Sequence, residues 1–156
     1  MRSFAYVLLG LLLGTGFNMT IAGEIEIAIK PAAIALEQSD ATVTMSDGSR
    51  KTIKGPSASL QLQITNGSSE DTYKVATVVF FMDAGLDAER ERYSFSLSKP
   101  LEIAPGESIT TDTFYLDNLP ASNGSQRYVS TSVTGWKNTG ADPGDEFAAG
   151  AGFNLP

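Results

Sequence analysis

The chain has no cysteine and no histidine among its 156 residues. Without cysteine there is no disulfide framework, no thiolate nucleophile and no thiolate metal site. Without histidine, Ser-His-Asp and Cys-His catalysis are excluded. The commonest general base near neutral pH is also missing. The usual zinc ligand sets shrink to carboxylates, which zinc seldom uses alone. Positive charge is scarce: eleven Lys and Arg stand against eighteen Asp and Glu, a net charge of −7. Such a chain repels phosphate backbones and anionic lipid headgroups, so nucleic acid and an anionic membrane surface are not expected partners. Helical patterning is nearly absent. Only residues 31–38 and 84–92 have the propensity for about one turn each.

Long apolar runs are confined to the start. Met1-Arg2-Ser3 carries one positive charge, and no further charge occurs before Glu24. A basic start, an apolar core of about 7–15 residues and small residues at its end are the features of a secretory signal. Thr20 and Ala22 fill the small positions ahead of a cut at Gly23 or Glu24. The core is shorter than the stretch of about 20 apolar residues that a membrane-spanning helix needs. Residues 1–22 are therefore expected to be a cleaved signal peptide, with retention as an anchor the other reading. No cysteine is present near the cut for lipid attachment. Removing Arg2 leaves ten bases and eighteen acids, a net charge of −8. The expected location is outside the cytoplasm, periplasmic or extracellular, with no stable membrane anchor.

Beyond Gly23 the chain is dominated by period-two alternation, the pattern of half-buried strands. Ile25, Ile27 and Ile29 alternate with Glu24, Glu26, Ala28 and Lys30, and Pro31 ends or bulges that run. Thr42–Met45 and Lys51–Lys54 flank Ser46-Asp-Gly-Ser49, a hairpin signal. Leu60, Leu62 and Ile64 alternate with Gln61, Gln63 and Thr65, then stop at the polar turn Asn66–Asp71. Tyr73–Met82 becomes apolar on both faces from Val78, as a central strand does. Tyr93, Phe95 and Leu97 alternate with serines, Leu101 and Ile103 follow Pro100, and Pro105-Gly106 marks a turn. Ile109–Leu116 and Tyr128–Thr134 read as further strands. About seven to nine short strands at roughly 8–12-residue spacing are the pattern of a sandwich or a barrel, and the expectation is an all-β chain with a β-sandwich domain over residues 23–136. Residues 137–156 form a Gly-, Ala- and Asp-rich segment, either a tail or a final strand pinned by Phe153 and Leu155.

The middle of the chain carries a further pattern: Thr65-Asn-Gly-Ser68, then Tyr73-Lys-Val and Val79-Phe-Phe-Met-Asp-Ala84, then Leu101-Glu-Ile-Ala-Pro-Gly-Glu-Ser108 with Thr110 and Phe114. Over residues 58–116 this resembles the immunoglobulin-like and fibronectin-type-III-like modules of bacterial exported proteins. The resemblance implies an immunoglobulin-like antiparallel β-sandwich of about seven to nine strands. It implies no activity and no functional residues.

Candidate sites follow from residue type. Trp136, Tyr128 and Tyr115 are candidates for an aromatic platform that contacts a sugar or a partner. Asp142, Asp145 and Glu146, set among glycines, are candidate ligands for calcium, which takes carboxylate and carbonyl oxygens. Asp83, Asp87 and Glu89 share a loop, but Gly85 and Ala88 break the calcium-loop pattern. No other cofactor is expected. Two Asn-x-Ser sequons, at Asn66 and Asn123, read first as turns. Paired carboxylates can cut glycosidic bonds, yet short strands leave little room for a cleft. The expected function is thus a non-catalytic binding or structural module that contacts a protein or a surface polymer. Self-association is a further expectation, because Glu24–Lys30 has one apolar face that a neighbour's sheet could accept. A filament subunit assembled by strand exchange is the alternative.

Overall fold

The computed structural model describes residues 17–20, 27–83, 90–121, 126–138 and 144–156. It is all-β, and every strand pairing is antiparallel. Eleven strands occur among the described residues: β1 (Phe17–Thr20), β2 (Ile27–Glu37), β3 (Ala41–Thr44), β4 (Arg50–Ile53), β5 (Ser57–Asn66), β6 (Thr72–Asp83), β7 (Glu91–Ile103), β8 (Ser108–Thr110), β9 (Phe114–Leu116), β10 (Tyr128–Asn138) and β11 (Asp145–Asn154). That exceeds the seven to nine expected. Part of the excess is one run, Ile109–Leu116, divided into β8 and β9.

One sheet has the order β1-β11-β10-β6-β7. A second has β2-β5-β8, with β9 also paired to β5, and β3-β4 forms a separate hairpin. Alternation decides what each sheet buries. On β5, Leu60, Leu62 and Ile64 are fully buried, while Gln61, Gln63 and Thr65 stay half-exposed. They meet Val75, Val78, Phe80 and Met82 of β6, Val129 and Val133 of β10, and Phe147 and Phe153 of β11 in one hydrophobic cluster. Each such large apolar side chain contributes about 1.5–3 kcal/mol on burial. Two T-shaped aromatic pairs, Tyr73–Phe147 at 5.0 Å and Phe80–Phe114 at 5.4 Å, cross this core.

Two segments take the strand form, one of the two readings that their sequence allows. Residues 31–37 are strand, not helical turn: β2 continues past Pro31 by a bulge at Ala32 and stays paired to β5 as far as Glu37 with Ser57. The C-terminal stretch is strand over Asp145–Asn154, in register with β10 along its length. Alternation is the reason, since Phe147, Ala149, Ala151 and Phe153 all reach the core. The Asp-Gly hairpin forms as expected, with Gly48 at φ 83° in its turn. Asp40 ties its base down by accepting hydrogen bonds from Lys54 Nζ (2.5 Å) and the Gly55 amide (3.0 Å).

Candidate functional site

An open groove of about 560 Å³ lies between β7 and the β8–β9 edge. It is lined by Leu97, Lys99, Pro100, Leu101, Asp112 and Phe114, among others. Its walls are two irregularities at the same level of the fold. On one side, Ser96 pairs with Thr77 and Leu101 with Val75. Four residues of β7, Leu97–Pro100, therefore stand against the single Ala76, and β7 bows away from β6. Pro100 suits such a site because it has no N–H to contribute to a ladder.

On the other side the chain leaves β5 between β8 and β9. The Leu62 amide donates to the Thr111 hydroxyl (3.0 Å), where a regular strand would offer a carbonyl, and the Thr111 amide returns a bond to the Leu62 carbonyl (2.9 Å). Thr111 is itself buried. Its side chain thus replaces a ladder acceptor, and the backbone turns out at Asp112 before Phe114 re-enters the core.

Phe114 of the lining belongs to an aromatic cluster. Phe95 packs against Phe80 (5.9 Å) and Phe114 (5.0 Å). Phe80 and Phe114 are buried, whereas Phe95, Leu97 and Leu101 of β7 remain half-buried. The rim is charged: Lys99, Glu102 and Asp112 are exposed. Glu102 lies 3.4 Å from Lys74 Nζ, a pair that both residues hold at the surface. Farther along the same face of β7, the Tyr93 hydroxyl is buried with no hydrogen-bond partner among the described residues. Burial, reinforced by the negative charges of Glu91 and Asp117, pushes its pKa up to about 12.

The aromatics singled out from sequence do not form one platform. Tyr128 and Trp136 share the outward face of β10 but stand at its two ends, about 27 Å apart at 3.3–3.4 Å per residue. Tyr115 belongs to β9 in the other sheet, paired with Ser59 of β5. All three are half-buried. Trp136 sits between Lys74 and Glu146 as its cross-strand neighbours. Tyr128 lies across Gly152, where a Cβ would overlap its hydroxyl.

Of the calcium candidates, Asp142 lies outside the described residues. Asp145 and Glu146 are exposed and consecutive on β11, so their carboxylates point to opposite faces. No group of three acids able to hold a metal occurs among the described residues. Asp87 and Glu89 lie outside those residues, as does Asn123. Asn66 is fully buried. Its amide nitrogen donates to the Asp71 carbonyl (2.7 Å) and the Ile103 carbonyl (3.0 Å), and its oxygen accepts from the Ser68 amide (3.0 Å). The residue is a structural tie, closed to a glycan in the folded chain.

Sequence reasoning missed the groove. The available signal was Lys99-Pro100 inside an alternating run, which marks an edge or a bulge. Comparison with protein-family models, with curated proteins and with solved structures finds no match to this chain.

Proposed function

We propose that this chain is an exported, non-catalytic binding module with an immunoglobulin-like β-sandwich fold, and that it takes an extended polypeptide segment in the β7/β8–β9 groove. The observation that carries the reading is the half-buried pair Leu97 and Leu101, which line an open groove beside two interrupted edges. An extended segment suits such a place because it can set alternate apolar side chains on Leu97, Leu101 and Phe114. Export rests on the charge and apolar pattern of residues 1–22. Among the described residues, no helix is long and apolar enough to cross a membrane.

Enzymatic hydrolysis is the weaker reading. A glycosidase needs one carboxyl held protonated by its surroundings, whereas Glu102 and Asp112 are exposed and Glu102 is ion-paired with Lys74. Strand donation by Glu24–Lys30 is disfavoured too, because Ile27 and Ile29 are buried and paired with Asn66 and Ile64 of β5.

The test is fluorescence polarisation with labelled ten-residue peptides that alternate apolar and polar positions. Binding is expected in the micromolar to millimolar range, and Leu97→Asp should abolish it while leaving the β-sheet circular dichroism unchanged. Failure of every such peptide to bind, with a soluble polysaccharide binding instead, would refute the groove reading in favour of a polymer-binding face.

A further inference from the structure

The leader region is part of the sheet. Residues Phe17–Thr20 run antiparallel to β11 as its outer neighbour, pairing Phe17 with Gly152, Asn18 with Ala151, Met19 with Gly150 and Thr20 with Ala149. These residues fall before the expected cut at Gly23 or Glu24. Processing there removes β1 and, with it, the pairing that β11 has on that side among the described residues. A free edge presents a row of N–H and C=O groups to any strand of suitable pattern.

The other edges of the fold are guarded against this. β7 carries exposed Glu91, Arg92, Lys99, Pro100 and Glu102. β2 carries exposed Lys30 and Glu37, with Pro31 and a bulge between them. The β8–β9 edge is short and broken at Thr111. Charges, prolines and bulges on edges all oppose sheet-to-sheet pairing. The β11 edge has none of these from Phe147 to Phe153.

We infer that removal of the leader converts the β11 edge into a dimer interface, with a second copy of β11 pairing antiparallel to it about a two-fold axis at Gly150. The inference rests on the export reading above. Register favours a second copy as the occupant. Phe147-Ala-Ala-Gly-Ala-Gly-Phe153 is nearly palindromic about Gly150. Centring the axis there sets Phe147 opposite the partner's Phe153 and Ala149 opposite the partner's Ala151, and all four of these residues face the core. Facing residues of an antiparallel pair point to the same side of the sheet, so the two apolar layers continue across the axis. The charged end also fits: Glu146 comes opposite the partner's Asn154, and Asp145 opposite the partner's Leu155, so no like charges meet. An isologous contact of this kind closes as a dimer and does not propagate into a fibre.

The test uses the processed chain recovered after export, its N-terminus read by mass spectrometry and its mass by sedimentation across concentration. A concentration-dependent dimer is expected. Asn154 is exposed, so its variants should leave the protomer intact. Asn154→Glu places two like-charge pairs across the axis and should raise the dimer dissociation constant about tenfold, while Asn154→Lys should lower it. In this cysteine-free chain, Gly150→Cys should form a self-crosslink on oxidation, because a facing pair lies within about 4.5–5.5 Å between Cα atoms. A strictly monomeric processed chain overturns the inference. Equal dimerisation of Asn154→Glu and Asn154→Lys overturns the register. An exported chain that retains residues 1–22 overturns the processing on which the inference rests, and is told apart from the other two outcomes by its mass alone.

Discussion

Replacing Asn66 with alanine should be among the most damaging single changes in the chain that alters no apolar contact. Asn66 ends β5 with no exposed surface, and its side chain makes three hydrogen bonds. Two of the groups it satisfies are themselves in buried residues, the Ser68 amide and the Ile103 carbonyl. The third, on Asp71, is half-buried and can turn to water. A buried donor or acceptor left without a partner costs about 1–3 kcal/mol, so Asn66→Ala should cost about 3–5 kcal/mol. That is a large part of the about 5–15 kcal/mol typical of a folded domain. At about 2–4 °C per kcal/mol for this size, the melting temperature should fall by roughly 10 °C. Urea denaturation followed by circular dichroism reads the loss as a lower midpoint at unchanged slope.

Asn66→Asp sharpens the test. The aspartate keeps the acceptor for Ser68 but turns a second oxygen toward two carbonyls, so its charged form is disfavoured in the fold. Its folded pKa should lie above the unfolded value, and the protonated carboxyl restores one donor. A raised acid pKa means that stability is present below the unfolded value of about 3.9 and is lost as pH rises through the folded value. The variant should therefore be less stable than Asn66→Ala at pH 7 and recover on acidification. A loss below about 1 kcal/mol for Asn66→Ala, against the roughly 3–5 kcal/mol expected for two orphaned groups, would refute the hydrogen-bond account. So would an Asn66→Asp deficit that stays constant from neutral pH down to about the unfolded carboxyl value of 3.9.

Further outcomes rest on single side chains. Tyr93→Phe removes a buried hydroxyl without a partner among the described residues, and should raise stability at pH 7 by about 1 kcal/mol in a melt. The same variant should abolish the last phase of tyrosine ionisation in an ultraviolet titration, because the Tyr93 pKa lies at about 12; the parent's stability should fall as pH rises from the unfolded value of about 10 toward that range. Gly135→Ala should cost about 2–3 kcal/mol on chemical denaturation, since its Cβ would overlap the Lys74 carbonyl, a backbone atom in the bulge between β10 and β6. Gly152→Ala should cost under about 1 kcal/mol in the same assay, because what it meets is the free end of the Tyr128 ring, which can turn aside. The carboxyl of Asp40 is held below the usual range by hydrogen bonds from Lys54 and the Gly55 amide, so its contribution is present above the unfolded value of about 3.9 and is lost as pH falls through the folded value. Asp40→Asn should flatten the acid limb of the stability curve, and an NMR titration of Asp40 should show the low midpoint directly.

The strands most legible in the sequence are those with a sustained apolar face. β5, β6 and β10 read correctly because one face meets the core along most of their length. The Asp-Gly hairpin read correctly because its turn needs the positive φ that Gly48 supplies. β11 was harder. Ala and Gly are poor strand formers by propensity, and burial of alternate residues together with the pairing to β10 makes a strand of them. The division of β8 from β9 was not legible, since it depends on the Thr111 hydroxyl standing in for a carbonyl of the ladder. The aromatic platform failed for a related reason. Residue type named Trp136, Tyr128 and Tyr115, but only topology says that two of them end one strand at opposite poles and the third lies in another sheet.

The groove is a better candidate than those aromatics because regular geometry would have erased it. If β7 ran straight from Ser96 to Leu101, the residues Leu97–Pro100 could add bonds to the ladder with β6, each worth about 0.5–1.5 kcal/mol net. If β8 and β9 were continuous, Asp112 and its neighbours would pair with β5 instead of turning outward. The first departure forgoes ladder bonds along Leu97–Pro100, whereas the second keeps the Leu62–Thr111 bonds and turns Asp112 outward. Leu97 and Leu101 stay half-buried where a facing strand would have covered them. On the binding reading proposed above, an extended segment enters only while both edges stay open, since either edge restored by itself would close one wall of the groove.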